Sequence, residues 1–210
     1  MISSKDLSQM LNIGDLRRVC KGISALEVIM SEEWDMRYYS FNSEWGENEE
    51  AFEMRNGSGQ HMLILFNSYG CAISGVDEER YDWENNIPKV EDIALGLPDA
   101  FYEFMYDEPV KSLKSTFCIW AGNNGKWITG NTDSSDDGSK DMLELLDGDP
   151  EKYVNFCKWY YETDIPVQIV EKAYRGEAIT MEMVKCLNSE RDDLDTIKSE
   201  LKEIDYPNTL

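Results

Sequence analysis

The hydrophobic pattern of the chain is centred on two apolar runs, residues 61–66 and 71–76, which are rich in β-forming side chains. Between them, Asn67 and Gly70 readily adopt the positive φ that a tight turn needs. Two such runs joined by such a turn predict a β-hairpin. The first run is apolar on both faces, which is typical of a strand in the middle of a sheet.

Further strands are predicted on both sides of this hairpin. Residues 36–41 and 50–55 alternate apolar and polar side chains, and a glycine-rich turn at residues 56–59 leads into the hairpin. Downstream, residues 115–121 and 126–129 flank an Asn-Gly turn, which is a strong hairpin signal. Strands in sequence with short connections indicate an antiparallel sheet of about six strands.

The N-terminal 34 residues have a helical pattern. Ser4 can cap a short helix that ends at Met10, and a second helix is predicted from Asp15 to Met30 because apolar side chains recur there at three- and four-residue spacing. Gly22 weakens the middle of this second helix by up to about 1 kcal/mol relative to alanine. The segment could therefore form two shorter pieces.

Short helices are predicted after the fourth strand and throughout the C-terminal part. Their predicted bounds are 99–105 with Asp99 as N-cap, 141–146, a start at Asp149-Pro150, 166–174, a helix capped by Thr180, and 189–204. The sequence therefore predicts an α+β fold in one domain, residues 1–210. Its parts are N-terminal helices in 1–34, a sheet region in 35–130 and a helical part in 139–205.

The charge of the chain is strongly negative, since 42 acidic residues stand against 20 basic ones, for a net charge of −22. Such a field disfavours nucleic acid, which is bound through Lys and Arg, and disfavours an anionic membrane surface. It favours a basic protein partner, because opposite fields accelerate encounter. The alternative is that the acidity only keeps the chain in solution.

The acidity is concentrated in the later part of the chain. Residues 1–75 have 11 acidic and 6 basic side chains, a net charge of −5, whereas residues 76–210 have 31 and 14, a net charge of −17. The polar loop after the fourth strand joins acidic and aromatic side chains and is the predicted partner-binding surface: Asp77, Glu78, Glu79, Tyr81, Asp82, Trp83 and Glu84. Alternatively, its aromatic rings fold back over the sheet.

The cysteines and the N-terminus point to the cytoplasm. Five scattered cysteines without a CxxC pair indicate neither a zinc site nor a disulfide framework. The first residues lack the pattern of a signal peptide, and no stretch has the length of a membrane span. We therefore expect a cytoplasmic protein with reduced thiols.

One loop has the spacing of a calcium site. Oxygen side chains at Asp133, Ser135, Asp137, Asp141 and Glu144 recur at the positions of a twelve-residue calcium loop, with a turn glycine after the third of them. Two features depart from that pattern: a lysine stands where an apolar residue is usual, and a strand leads into the loop. The alternative is an acidic turn in which Ser139 caps the following helix.

Catalytic patterns are absent from the sequence. It contains no nucleophile elbow, no P-loop and no dinucleotide fingerprint. His61 is the single histidine, and at the start of a strand it is expected to be a packed or surface residue rather than a base. We therefore expect no enzymatic activity and no cofactor, apart from the calcium of the acidic loop if that loop binds an ion.

Three segments resemble uncharacterised bacterial proteins: residues 97–109 (LPDAFYEFMYDEP), 116–130 (TFCIWAGNNGKWITG) and 137–162 (DGSKDMLELLDGDPEKYVNFCKWYYE). Separately, Leu97, Pro98, Phe101 and Phe104 resemble the LPxxYxxF motif of the SUKH superfamily, which includes many toxin-immunity proteins. In that family the motif precedes the sheet, whereas here it follows four predicted strands. These resemblances imply a bacterial origin and an immunity role, and no catalytic residue.

Three functional hypotheses follow. The first is a non-enzymatic, acidic, cytoplasmic binding protein, such as an immunity protein that neutralises a basic toxin. The second is a calcium-binding or small hydrolytic protein that uses the acidic loop at residues 133–144. The third is a regulatory domain that binds a small ligand in a pocket beside the sheet.

Overall fold

The computed structural model describes residues 1–80, 88–131 and 136–210. Its centre is an antiparallel six-stranded sheet in which each strand pairs with the next one along the chain. The strands are β1 (Tyr39–Gly46), β2 (Glu49–Arg55), β3 (Gln60–Phe66), β4 (Gly70–Asp77), β5 (Phe117–Gly122) and β6 (Trp127–Thr129). The predicted α+β class and the antiparallel sheet of about six strands are confirmed.

The central hairpin consists of β3 and β4, the two middle strands. Its turn is closed by the Asn67 side chain, whose Oδ1 accepts hydrogen bonds from the backbone N–H groups of Tyr69 (3.0 Å) and Gly70 (3.2 Å). Gly70 does not have the positive φ expected of it. A Cβ atom there would lie 2.0 Å from the carbonyl oxygen of Ala121, so the glycine permits the close approach of β4 and β5.

The described residues also form nine helices. They are α1 (Ile13–Met30), α2 (Val90–Ile93), α3 (Tyr102–Tyr106), α4 (Val110–Leu113), α5 (Ser139–Met142), α6 (Pro150–Tyr160), α7 (Val167–Tyr174), α8 (Met181–Leu187) and α9 (Leu194–Glu203). Short 3₁₀ turns cover Trp34–Met36, Asp99–Phe101 and Glu144–Asp147. Across the described ranges, no helix combines the length and apolar character that crossing a membrane requires.

In the N-terminal part, the predicted helix that ends at Met10 is absent, whereas the predicted helix that ends at Met30 is present and the alternative of two shorter pieces is wrong. Residues 4–10 form no helix, because the Ser4 hydroxyl donates a hydrogen bond to the distant Asp137 carboxylate instead of capping its own segment. The helix over residues 15–30 is not divided at Gly22, and α1 runs unbroken. The backbone of α7 crosses α1 at this glycine, and a Cβ atom there would lie 2.7 Å from the carbonyl oxygen of Ala173.

The C-terminal helices begin largely as expected from their caps. Asp149 accepts a hydrogen bond from the backbone N–H of Glu151 (3.1 Å), and Thr180 accepts one from that of Met183 (3.3 Å). Asp99, by contrast, is not an N-cap, because the chain enters a 3₁₀ turn there before α3. The last helix begins at Leu194 rather than at residue 189.

The two faces of the sheet are covered by different helices. One face packs against α1 and the C-terminal helices, and it contributes Phe52, Met62, Ile64, Ile73 and Ile119 to the larger hydrophobic core. The other face packs against α2–α4 and forms a smaller core, whose sheet residues are Leu63, Leu65, Ala72, Cys118 and Trp120. Alternation of side chains along the strands therefore places apolar residues on both faces, as expected for a central strand covered on both sides.

The smaller helical layer covers only part of its face. All the strand residues of the smaller core lie on β3, β4 and β5. On β1 and β2 the same face presents Ser40, Asn42 and Glu53, which are exposed or half-buried. Among the described residues, this half of the face is therefore left uncovered by α2–α4.

Candidate binding groove on the open sheet face

The open half of the sheet face holds two adjoining hollows. The first has a volume of about 390 Å³, and its lining includes Trp34, Ser40, Asn42, Glu44, Trp45, Ala51, Glu53, Leu63 and Glu203. The second has a volume of about 250 Å³ and is lined by Trp45, Glu49, Leu65, Glu103, Phe104, Asp107, Glu108 and Pro109. Trp45 lines both hollows, so they adjoin each other, and the two hollows together are called the groove below.

Two exposed tryptophans mark this groove. Trp34 and Trp45 leave 52% and 42% of their surfaces accessible, although side chains of this size are usually largely covered. Trp34 is held in place by Arg55, whose guanidinium lies 3.3 Å from the centre of the indole ring and also donates a hydrogen bond to the Trp34 carbonyl (3.1 Å). Exposed tryptophans at a concave surface are typical of the central contacts of protein interfaces.

The lining of the groove is strongly negative. Seven carboxylates and no lysine or arginine line the two hollows, as far as the structure describes them. Oε1 of Glu53 accepts a hydrogen bond from Nε2 of His61 (2.7 Å), and this bond holds the pKa of the Glu53 carboxyl below its usual range. Carboxylates beside exposed aromatic rings attract ammonium and guanidinium groups, both by ion pairing and by cation–π contact.

The predicted partner-binding loop is described only in part. Asp77 is buried at the end of β4, where it accepts a hydrogen bond from Nε2 of Gln60 (2.8 Å) and pairs with Nε of Arg80 (2.9 Å). Glu78 and Glu79 are exposed. Tyr81, Asp82, Trp83 and Glu84 lie outside the described residues, so a role for this loop stays a prediction.

Arg80 joins this loop to the acidic segment before α5. Its guanidinium pairs with the carboxylates of Asp77, Asp136 and Asp141. Of these partners Asp77 is buried, whereas the side chains of Asp136 and Asp141 are about half exposed. One arginine therefore offsets the repulsion among three carboxylates that come from distant parts of the chain.

Substitution of Arg80 tests this arrangement. We expect Arg80→Ala to lower the free energy of unfolding by about 1–2 kcal/mol, because the buried Asp77 loses its charged partner while the other two pairs are screened by solvent. Urea unfolding measures the change. Arg175→Ala is the control, since its partners Glu171 and Glu177 are both exposed, and it should change the stability by less than about 0.5 kcal/mol. Equal effects of the two substitutions would contradict a structural role of Arg80.

Among the described residues, two of the predicted calcium ligands, Asp137 and Asp141, have protein partners. The Asp137 carboxylate is buried and accepts hydrogen bonds from the hydroxyl groups of Ser4 and Ser139 and from the Ser139 N–H (3.0 Å). Asp141 pairs with Arg80, and Glu144 is exposed. Within the described parts of the chain, no three His, Cys, Asp or Glu side chains are grouped to hold a metal ion. Asp133 and Ser135 lie outside the described residues, so calcium binding stays a prediction.

Burial disfavours the thiolate form of four of the cysteines. Four of the five cysteines are buried and the fifth, Cys186, is exposed. Burial raises the pKa of the Cys118 thiol to about 12, and it likewise raises the pKa of Cys20, Cys71 and Cys157. A reactive cysteine needs the opposite shift, because the thiolate is the nucleophile.

A buried carboxyl group lies below the opposite face of the sheet. Glu27 of α1 accepts hydrogen bonds from the hydroxyl groups of Tyr153 (2.8 Å) and Tyr161 (2.9 Å) and from the backbone N–H groups of Tyr38 (2.9 Å) and Tyr39 (3.4 Å). Burial raises the pKa of Glu27 to about 7, although these hydrogen bonds act in the opposite direction. Through these hydrogen bonds the Glu27 carboxyl group connects α1 to the start of β1 and to α6, which is a structural role.

A separate cleft lies beside this buried carboxyl group. It has a volume of about 360 Å³, and its aromatic wall includes Tyr38, Phe156 and Trp159. Lys152, Asp141, Glu144 and several amide side chains also line it, so the lining has both signs of charge. This cleft is where a small ligand could bind beside the sheet, but its lining does not indicate one class of ligand.

Comparisons with known proteins do not indicate a family or a function for the chain. No family model matches the chain, and searches of curated proteins and of solved structures found no significant match. The resemblances to bacterial proteins and to the SUKH superfamily stay predictions. The function is therefore argued from the geometry of the groove.

The groove cannot be predicted from the sequence, because its residues are far apart in the chain. Trp34 precedes β1, Trp45 is near the end of β1, Glu103 is on α3 and Glu203 is on α9. One signal was available, since both tryptophans stand among acidic and polar residues rather than in an apolar run. A tryptophan in such a stretch indicates a surface contact more often than a core position.

Proposed function

We propose that this protein is a non-enzymatic binding protein that docks a basic segment of a protein partner in the groove. The observation that supports this proposal is the open half of the sheet face, where two exposed tryptophans lie among seven carboxylates. A basic segment supplies the opposite charge, and its aliphatic stems can cover the indole rings. The net charge of −22 steers such a partner toward the protein from a distance.

A basic protein segment fits this surface better than a metal ion, a nucleic acid or a lipid does. Small metal ions gain little from exposed indole rings, whereas lysine and arginine side chains combine charge with apolar stems. Nucleic acid and anionic lipid would be repelled by the same carboxylates. In this proposal an immunity role is one biological setting, in which the acidic protein covers a basic surface of a toxin.

A peptide titration tests the proposed function. A Lys/Arg-rich peptide should bind at low ionic strength, binding should weaken steeply as salt is added, and a matched Glu-rich peptide should not bind. Trp45→Ala should weaken the binding of the basic peptide about tenfold, which corresponds to about 1.4 kcal/mol. Calorimetry measures both. Trp159→Ala is the matched control, because Trp159 is 68% exposed and lies outside the groove, and it should leave the affinity unchanged.

Charge-reversal variants distinguish binding in the groove from attraction by the overall net charge. Glu103→Lys with Asp107→Lys changes the second hollow, and Glu171→Lys with Glu182→Lys makes the same change in net charge on the exposed surfaces of α7 and α8. The first pair should abolish binding, and the second should weaken it only through the smaller net charge. If both pairs weaken the binding equally, the overall charge acts alone and the groove is not the site.

A further inference from the structure

We infer that the groove recognises an extended segment with two cationic side chains at alternate positions, Lys/Arg-x-Lys/Arg. This inference rests on the proposed function and specifies the partner. It follows from the spacing of the two hollows along the strands, from the tryptophan that they share and from the carboxylates in each of them.

The near ends of the two hollows are separated by one same-face step of the sheet. On β3 the first hollow reaches Leu63 and the second reaches Leu65. On β2 the first hollow covers Glu53 and Ala51 and the second reaches Glu49, so the nearest positions of the two hollows are two residues apart. Residues two apart on one strand point to the same face and lie about 7 Å apart. An extended peptide that follows the strands has the same repeat, so its side chains at positions i and i+2 match the two hollows.

Trp45 forms the wall between the hollows. It is the one residue that lines both of them, and 42% of its surface is exposed. The strand changes register between Asn42 and Gly46, and Trp45 lies within this irregular part of β1. Two cationic side chains on either side of the indole ring can each cover part of it with their aliphatic stems. Removal of this ring therefore affects both positions of the bound segment.

Each hollow has its own carboxylates. Glu44, Glu53 and Glu203 line the first hollow together with Trp34, and Glu49, Glu103, Asp107 and Glu108 line the second. A cation in either hollow is thus close to carboxylates that the other cation does not use. The residue between the two cations points away from the sheet, because side chains of an extended chain alternate. Its identity should therefore matter little.

Spacing variants of one peptide test this inference. Three blocked Ser/Gly peptides contain two lysines each, in the arrangements Lys-Ser-Lys, Lys-Lys and Lys-Ser-Ser-Lys, so that their charge is equal. The alternate arrangement should bind about tenfold more tightly than the adjacent one, in which one lysine points away from the face. Titration into isotope-labelled protein measures the affinities, and the indole N–H resonances of Trp34 and Trp45 should shift.

Variants of single hollows show whether both cations are bound. Glu44→Gln with Glu203→Gln in the first hollow, or Glu103→Gln with Asp107→Asn in the second, should each remove the advantage of the alternate peptide over the adjacent one. Glu171→Gln with Glu182→Gln makes the same change in charge outside the groove and should preserve that advantage.

The outcomes separate the inference from the proposed function. If all three dilysine peptides bind equally and binding still depends on Trp45, the groove is the site but the alternate spacing is wrong. If none of them binds more tightly than a matched diglutamate peptide, and the longer Lys/Arg-rich peptide also does not bind, both the spacing and the proposed function are wrong. Shifts confined to Trp159 would place the binding elsewhere and would contradict both.

Discussion

Glu27→Ala should lower the free energy of unfolding by about 3–5 kcal/mol, because the cavity and the buried donors left without an acceptor each cost on the order of 1–3 kcal/mol. The carboxyl group of Glu27 is fully buried, and four donors point at its two oxygens: the hydroxyl groups of Tyr153 and Tyr161 and the backbone N–H groups of Tyr38 and Tyr39. Alanine removes every acceptor at once and leaves a cavity below the aromatic cluster. Urea unfolding measures the loss.

Glu27→Gln separates the hydrogen bonds from the charge. The amide retains one oxygen for the Tyr38 N–H and the Tyr161 hydroxyl, and its NH₂ group can donate to the Tyr153 hydroxyl oxygen. We therefore expect this variant to fold and to lose far less stability than Glu27→Ala. If the two variants are equally unstable, the hydrogen-bond cluster is not the reason for the loss.

The pH dependence of stability should also change in Glu27→Gln. Burial raises the pKa of Glu27 from 4.5 to about 7, so between these values the folded protein binds more protons at this site than the unfolded chain. The resulting stabilisation is fully present below about pH 4.5 and is lost as the pH rises to about 7, a change of about 3 kcal/mol. The glutamine variant lacks this component.

Unfolding experiments across this pH range provide the measurement. As the pH rises from about 4.5 to about 7, the wild type should lose up to about 3 kcal/mol of unfolding free energy relative to Glu27→Gln. The other carboxyl groups are common to both proteins, so their contributions cancel in the difference. A constant difference over the whole range would show that the pKa of Glu27 is not raised.

Gly22→Ala should destabilise the protein by about 2 kcal/mol, within the range for overpacked sites, although alanine is the better helix former. The Cβ atom would lie 2.7 Å from the carbonyl oxygen and 2.9 Å from the carbonyl carbon of Ala173, and both are backbone atoms. Helix α7 would have to move away from α1 to accommodate the methyl group. Gly22→Leu should be worse, because its longer side chain needs a larger displacement.

Gly14→Ala, in the first turn of the same helix, is the matched control. Its added Cβ atom would meet only Oδ1 of Asn12, at the ordinary contact distance of 3.5 Å. Alanine should therefore be neutral there, or stabilise the protein by up to about 1 kcal/mol through its helix propensity. Opposite signs for the two substitutions, measured by thermal or urea unfolding, would confirm that Gly22 is required by the helix crossing. A stabilising Gly22→Ala would contradict it.

Much of the secondary structure could be predicted from the sequence because its signals are local. The turn at Asn67 and the Asn-Gly turn at Asn124 each lie between two β-rich runs, and both hairpins formed where they were predicted. Asp149 and Thr180 cap the helices that follow them. In each case the residues that decide the structure are within a few positions of one another, so one sequence window contains the cause and the effect.

Two of the expectations that failed involve contacts between distant segments. Ser4 could cap a helix, yet its hydroxyl donates to Asp137, 133 positions away. Gly22 weakens an isolated helix, yet here it permits the approach of α7. Both residues have a local preference that a tertiary contact overrides, and the pattern around them contains no trace of that contact.

The candidate site likewise depends on contacts between distant segments. The sequence by itself determined the net charge of −22, the α+β class and the order of the strands, because composition and local periodicity specify them. It did not indicate which carboxylates would come together in space, and its predicted contact surface followed one continuous loop. Only the tertiary structure decided which half of a sheet face the short helices α2–α4 leave open. That choice brings Trp34, Trp45, Glu103 and Glu203 together, since packing, and not proximity in the chain, determines which side chains line a groove.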